Sequence, residues 1–262
     1  MAAGGMRIAV LLLTFVLGAA AMRFGPVLLE PAPARLRGMA EAPCPLPSEA
    51  KVWAGFDDPD WTGLCHYQAD NARLITAGTR PDTVFFGDSI FADWGTRDPG
   101  FFTAGRVNRG IGGQTSAVLL ARFRQDVLAL RPRRVHIMAG LNDIGGLSGL
   151  SSPASFIANI ESLVDLAEVN GITPVLATIP PAGRFEQDGM VDPAPWVARL
   201  NAELLALAAR RGLAIANYHA VLADAQGRPK PGLFTDFAHP GKAGYAAMAP
   251  VALKALDQKD RE

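Results

Sequence analysis

From residue 81 onward, short apolar runs alternate with longer stretches whose apolar residues recur at helical spacing. Thr83-Val84-Phe85-Phe86, closed by Gly87, is too short for a helix and shows no polar alternation, which predicts a buried strand. Val135–Ala139, Thr173–Ile179 and Leu213–Tyr218 predict three more, and Arg106-Val107-Asn108 a shorter one. Between them, Leu119, Phe123, Val127 and Leu130 fall on one helical face. Phe156, Ile160, Leu163 and Ala167 do the same, behind Ser152 as N-cap and Pro153 at the first helical position. Trp196, Leu200, Leu204 and Leu207 define a third face, which Gly212 stops. A last helix is expected from about Gly241 to Leu256. Strands that are apolar throughout need cover on both faces. The alternation therefore predicts the α/β class, a parallel sheet with helices on both sides. In such a sheet the chemistry belongs at the carboxyl ends of the strands, near the point where strand order reverses.

The residues before 81 break this pattern. Arg7, the apolar run Ile8–Met22 and the small residues Ala19-Ala20-Ala21 predict a signal peptide or membrane anchor over residues 1–21. The run is shorter than the roughly 20 residues of a spanning helix. An exported protein is expected, periplasmic or extracellular, with membrane association through residues 8–22 if the segment stays uncleaved. Residues 22–50, with Pro26, Pro31, Pro33, Pro43, Pro45 and Pro47, read as a Pro/Ala-rich linker. Residues 51–80 read as an attachment that packs on the main domain, with a helical stretch near His66–Ile75. The main domain is expected over 81–256 and a charged tail over 257–262. Cys44 and Cys65 fit export. In an oxidising compartment they can pair and close a 22-residue loop, for about 3 kcal/mol by the loop-entropy argument. In a reducing one they are two separate thiols.

Composition narrows the function classes. With 262 residues, 49% hydrophobic and 19% charged, the chain can bury a sizeable core and is not mainly disordered. Lys+Arg and Asp+Glu are both 25, so no global basic field exists for nucleic acid, and no nucleic-acid partner is expected. Four His, two Cys and the lack of an H-E-x-x-H or acidic calcium loop lead to no expected metal or cofactor.

Four segments at predicted strand ends or before the last helix carry candidate chemistry. In Gly87-Asp88-Ser89-Ile90, Ser89 stands where a helix begins, and free backbone N–H groups there favour developing negative charge. The bland reading is a pair of helix caps. Asn108-Arg109-Gly110-Ile111-Gly112-Gly113-Gln114-Thr115 nearly matches G-x-G-x-x-G, but Thr115 occupies the last Gly position, so backbone donors for an oxyanion are the better use. In Gly140-Leu141-Asn142-Asp143, Asn142 can aim an amide N–H into the same crevice or form an ordinary Asx-turn. Asp236 and His239 are three apart, about one helical turn, so the carboxylate can orient the imidazole toward Ser89.

Taken together and in this order, these blocks resemble the SGNH hydrolases, also called GDSL-type esterases and lipases, over roughly residues 81–255. The Asn108-to-Gly113 stretch looks most like the branch of platelet-activating-factor acetylhydrolase subunits and related bacterial secreted esterases. Gln114 stands where many members have Asp, and Leu141 where many have Thr. The resemblance implies a flavodoxin-like three-layer α/β/α sandwich with about five parallel strands. It implies Ser89 as nucleophile, His239 as base and Asp236 as its orienter. The oxyanion donors would be the Ser89 and Gly113 N–H groups and the Asn142 side chain. The expected activity is a serine esterase acting on small acyl esters or O-acetylated carbohydrate or lipid. Acyl transfer on the same scaffold, or a non-catalytic glycan- or lipid-binding module, are the competing readings.

Other candidates are weaker. His136 lies inside a strand and reads as a core histidine; His66 lies in the attachment; His219 follows the last strand without a carboxylate at Asp-x-x-His spacing. Ser148 lacks the G-x-S-x-G elbow. Arg131, Arg133 and Arg134 read as a solvated connector. Trp94, the 145–152 loop and the 180–195 segment with Arg184, Phe185 and Met190 are the expected walls of the crevice.

Overall fold

Five parallel strands form one sheet, in the order β2-β1-β3-β4-β5. They are β1 (Thr83–Gly87), β2 (Arg106–Gly110), β3 (Arg134–Met138), β4 (Thr173–Ala177) and β5 (Ala214–Ala216). The computed structural model describes residues 60–103, 105–184 and 192–258. The apolar run at 8–22, the linker, residues 51–59, Cys44, Phe185, Met190 and the last four residues lie outside the described residues.

The strands form where the apolar runs stand. All five residues of β1 and of β3 are buried, as a strand covered on both faces requires. Helix α3 (Ser116–Asp126), α5 (Pro153–Val169) and α6 (Ala194–Arg211) pack side by side, with the short α4 (Leu141–Ile144) after β3, while α2 (Ser89–Arg97) packs with α8 (Lys242–Gln258). Right-handed crossovers put the first group on one face and the second on the other. The result is a flavodoxin-like three-layer sandwich. Strand order reverses between β1 and β3, and their carboxyl ends open the crevice where a site is expected. Helix α1 (Gln68–Thr76), in the N-terminal segment, lies against α3 and the short 3₁₀ turn Leu128–Leu130.

Some elements differ from expectation, each for a local reason. The face from Leu119 to Leu130 is not one helix: α3 stops at Asp126, and the 3₁₀ turn that follows ends in left-handed Arg131 (φ 48°). The run Leu213–Tyr218 gives only a three-residue strand, because Asn217 caps a short helix α7 (Tyr218–Leu222) by accepting from Ala220 N–H at 3.1 Å. Trp196 leaves the buried face of α6, where Val197 takes its place beside Leu200, Leu204 and Leu207. Arg134 is no solvated connector. It is buried and its guanidinium meets the Asp82 carboxylate at 2.6 Å. Trp94 is no crevice wall. Five residues beyond Ser89 on α2 it faces the opposite way, fully buried and stacked between Phe101 and Tyr245 at 4.3 and 5.4 Å.

His136 is a satisfied core residue. Its Nδ1 donates to the Val175 carbonyl at 3.1 Å, and its Nε2 accepts from the Tyr218 hydroxyl at 2.6 Å. Burial pushes its pKa down to about 4 from an ordinary 6.5. Between those values the unfolded chain binds a proton that the folded chain does not, so this residue makes stability rise with pH across the window. His136→Gln removes the titration while keeping a donor and an acceptor. The Tm advantage of the wild type should grow from about pH 4 to about pH 6.5 and then level off. Parallel melting curves for the two proteins would refute this.

Candidate active site

The sheet delivers Ser89, Gly113 and Asn142 at its strand ends, and the loop before α8 brings Asp236 and His239 to Ser89. Ser89 opens α2 directly after β1, and the Asp88 side chain caps that helix by accepting from Ile90 N–H at 3.0 Å. The Ser89 Oγ donates to His239 Nε2 at 2.9 Å, across 150 residues of chain. His239 Nδ1 meets both oxygens of Asp236, at 2.9 and 3.1 Å. A carboxylate only accepts, so Nδ1 carries the proton and Nε2 is the basic nitrogen facing Ser89.

The Asp236–His239 pair is not built on a helical turn. Residues 234–240 form a tight loop pinned by a bridge between Phe234 and Pro240, with Thr235 N–H on the His239 carbonyl at 2.9 Å. Asp236 Oδ1 accepts from the Ala238 and His239 N–H groups, both at 2.8 Å, so the three-residue spacing works as an Asx-turn. Burial works to raise the Asp236 pKa. The two backbone N–H groups and the His239 ring together outweigh it and hold the carboxyl below its ordinary range. Helix α8 starts three residues after His239. Its Tyr245 hydroxyl reaches back to the Ile90 carbonyl on α2 at 2.8 Å, which fixes the two sides of the pair in register.

The other expected donors stand at the same end of the sheet. After β2 the chain turns through half-buried Gly112 and Gly113, the latter at φ +75°. After β3, Asn142 Nδ2 donates to the Gln114 carbonyl at 2.9 Å, so the Asn142 side chain and the Gly113–Gln114 backbone are tied together. Asp143 supports this loop from behind. It accepts from Ser116 N–H at 3.0 Å and Ser116 hydroxyl at 2.5 Å, and Asn159 Nδ2 donates to that hydroxyl oxygen at 3.0 Å. Thr115 and Ser148 share a hydroxyl hydrogen bond that joins the 145–152 loop to it.

Two carboxyls here are buried, Asp88 next to Ser89 in the chain and Asp143, whose charge acts on Asp88. Burial pushes Asp88 up to about 6; the Ile90 N–H and the nearby His239 oppose the rise, and Asp143 adds to it. Burial raises Asp143 too, against its hydrogen bonds from Ser116. The other histidines stay apart from the Ser89 hydrogen bond, which His239 makes. Among the described residues no cluster of three or more His, Cys, Asp or Glu could hold a metal ion.

Sequence reasoning missed Arg122, which is fully buried on α3. Its NH1 meets Asp126 at 2.9 Å, its NH2 donates to the Gly87 carbonyl at 2.9 Å, and its Nε donates to Gln114 Oε1. The signal was present: Arg122 and Asp126 lie on the same stripe as Leu119 and Phe123, where a charged pair has no reason to be unless it is used. Arg109, Asn71 and Tyr67 were missed for the same region, and only tertiary contact joins them.

The fold agrees with the comparisons to known proteins. The profile of the GDSL-like lipase/acylhydrolase family matches residues 85–247, and the chain belongs to that family. A GDSL-like lipase from Bacteroides thetaiotaomicron VPI-5482 is 31% identical, covering 76% of this chain and 98% of its own, with a TM-score of 0.70. A provisionally named acylhydrolase from Bacteroides fragilis NCTC 9343 is 35% identical over the same shares, with a TM-score of 0.71. The uncharacterized lipoprotein YqeF of Bacillus subtilis (strain 168) is 33% identical over 130 residues, 41% of this chain. The match spans 54% of that curated relative, about half its length.

Gly110 lets α2, the helix that Ser89 opens, lie close to β2. A Cβ there would lie 2.3 Å from Ala92 N and 2.7 Å from the Asp88 carbonyl, both backbone atoms that cannot swing aside. Gly110→Ala should therefore shift the start of α2, lowering stability by about 1–3 kcal/mol and ester hydrolysis by about tenfold or more. Urea unfolding and a turnover assay on one preparation check this; an unchanged pair of values would rule it out.

Proposed function

We propose that the chain is a serine esterase with Ser89 as nucleophile, His239 as general base and Asp236 as the group that orients it. The observation that carries the reading is the 2.9 Å contact of His239 Nε2 with Ser89 Oγ, with Asp236 on the opposite ring nitrogen. His239 takes the Ser89 proton as Oγ attacks an ester carbonyl, giving a tetrahedral oxyanion. The Ser89 and Gly113 N–H groups and the Asn142 amide stabilise that charge. One Asn142 N–H is engaged by the Gln114 carbonyl, and an amide has a second to offer. His239 then protonates the departing alcohol and leaves an acyl-Ser89. Water, activated by His239, releases the acid and restores the serine.

The substrate class is small acyl esters or O-acetylated carbohydrate or lipid, reached at the carboxyl end of the sheet. Ser89 is half-buried, His239 is half-buried and Asp236 is exposed, which supports access from solvent. Export is part of the proposal. Cys65 is disulfide-bonded, which fits an oxidising compartment, and the Bacillus relative is named a lipoprotein. Among the described residues no helix is long and apolar enough to cross a membrane.

Hydrolysis of p-nitrophenyl acetate and longer acyl esters, with fluorophosphonate labelling, tests the reading. Ser89→Ala should lose both together. Asn142→Ala should lower kcat by about 10²–10³ with KM little changed, because its contact matters to the charged intermediate. Labelling that survives Ser89→Ala would assign the nucleophile elsewhere. A rise in KM at constant kcat for Asn142→Ala would remove it from the oxyanion site.

A further inference from the structure

Gln114 joins three distant parts of the chain, two through its side chain and one through its backbone carbonyl. Its Oε1 accepts from Arg122 Nε on α3, its Nε2 donates to the Thr62 carbonyl at 3.0 Å, and its own carbonyl receives the Asn142 amide at 2.9 Å. It is buried, and a primary amide uses both ends here: one atom accepts and the other donates. Arg122 extends the link to the Gly87 carbonyl, two residues before Ser89, and that carbonyl also takes the Ile111 N–H at 3.0 Å. The positions of all three oxyanion donors therefore depend on one buried cluster. Ser89 N–H follows from Gly87, Gly113 N–H is next to Gln114, and Asn142 hangs on the Gln114 carbonyl.

We propose that Gln114 is a positioning residue for the oxyanion donors, and that the N-terminal segment at Asp60–Tyr67 is the part that holds it in place. This rests on the esterase reading above, which makes those three groups a site at all. The segment is itself tightly built at this point. Cys65 N–H donates to the Asp60 carboxylate at 2.9 Å, Gly63 N–H donates to the Asp60 carbonyl at 2.7 Å, and Cys65 is disulfide-bonded. Gly63 is left-handed at φ +75°, and a Cβ there would lie 2.7 Å from Ile111 Cδ1 and 2.8 Å from Gln114 Nε2. Tyr67 adds a second tether, donating its hydroxyl to the Gly110 carbonyl at 2.5 Å while its ring lies under Arg109. The segment thus grips the loop from Gly110 to Gln114 at both ends.

The chemistry of the pair says why an amide is needed. A carboxylate at 114 would satisfy Arg122 but would turn a second lone pair toward the Thr62 carbonyl, which is itself only an acceptor. Gln114→Glu therefore cuts the tether to the N-terminal segment and leaves the Arg122 contact. Gly63→Ala presses on the same tether from the other side. Gln125 supplies a control, because its Nε2 donates to the Leu64 carbonyl and holds the same segment without touching the oxyanion loop.

The test uses the full chain, with p-nitrophenyl acetate kinetics, Tm and hydrogen exchange at Ile111–Thr115 for wild type, Gln114→Glu, Gly63→Ala and Gln125→Ala. Displacement of a reacting or stabilising group by about 1 Å costs up to about 10²-fold. We expect kcat to fall by about tenfold or more in Gln114→Glu and Gly63→Ala, with KM within about twofold and faster exchange in the loop. Gln125→Ala should keep kcat within about twofold. The inference is overturned by wild-type kcat in a folded Gln114→Glu or Gly63→Ala, or by equal losses in Gln125→Ala, which would mean general packing. If wild type neither hydrolyses ester nor labels at Ser89, the esterase reading fails and takes this inference with it. An active wild type with unaffected variants sinks the inference alone.

Discussion

Two-sided burial of a parallel sheet is the constraint on which the rest depends. Every residue of β1 and β3 is buried, so neither strand has a face to spare for polar chemistry. The reactive groups must stand where the strands stop, and helices begin there with unpaired N–H groups. Ser89, Gly113 and Asn142 all follow a strand within a few residues. The reversal of strand order between β1 and β3 then leaves a gap at their ends that no crossover helix covers.

Buried polar groups that are paired within the fold stand behind the loop after β2. Arg122, Asp126, Asn71 and Arg109 run as one chain of hydrogen bonds from α3 to α1, with Asn71 Nδ2 on Asp126 at 2.6 Å and Arg109 Nε on Asn71 Oδ1 at 2.9 Å. An unpaired charge at such depth would cost several kcal/mol, so each member fixes the next. The cluster gains specificity of position rather than stability, which a hydrophobic replacement could supply as well. A loop with the proposed task of presenting donors at fixed places benefits from that kind of support.

The second half of the site comes from far along the chain. His239 reaches Ser89 because α8 packs against α2 and Tyr245 ties it to the Ile90 carbonyl. The stacked rings of Phe101, Trp94 and Tyr245 fill the space between them. Apolar packing and one buried hydrogen bond thus set the distance on which the proposed proton transfer depends.

The sequence by itself determined the class of fold, the strand and helix order and the four segments that carry candidate chemistry, because each is a local signal. Apolar runs, helical spacing, caps and a Gly at a strand end are read within a few residues. The three-residue spacing of Asp236 and His239 was legible, but not the Asx-turn that realises it, since a helix and that turn place the pair alike. Only the tertiary structure decided that Trp94 belongs to the core, that Arg134 pairs with Asp82, and that Gln114 meets Thr62 and Arg122. Those outcomes depend on which segments come together. Such contacts leave no period in the sequence, because their partners lie tens of residues apart and are chosen by the packing of whole layers.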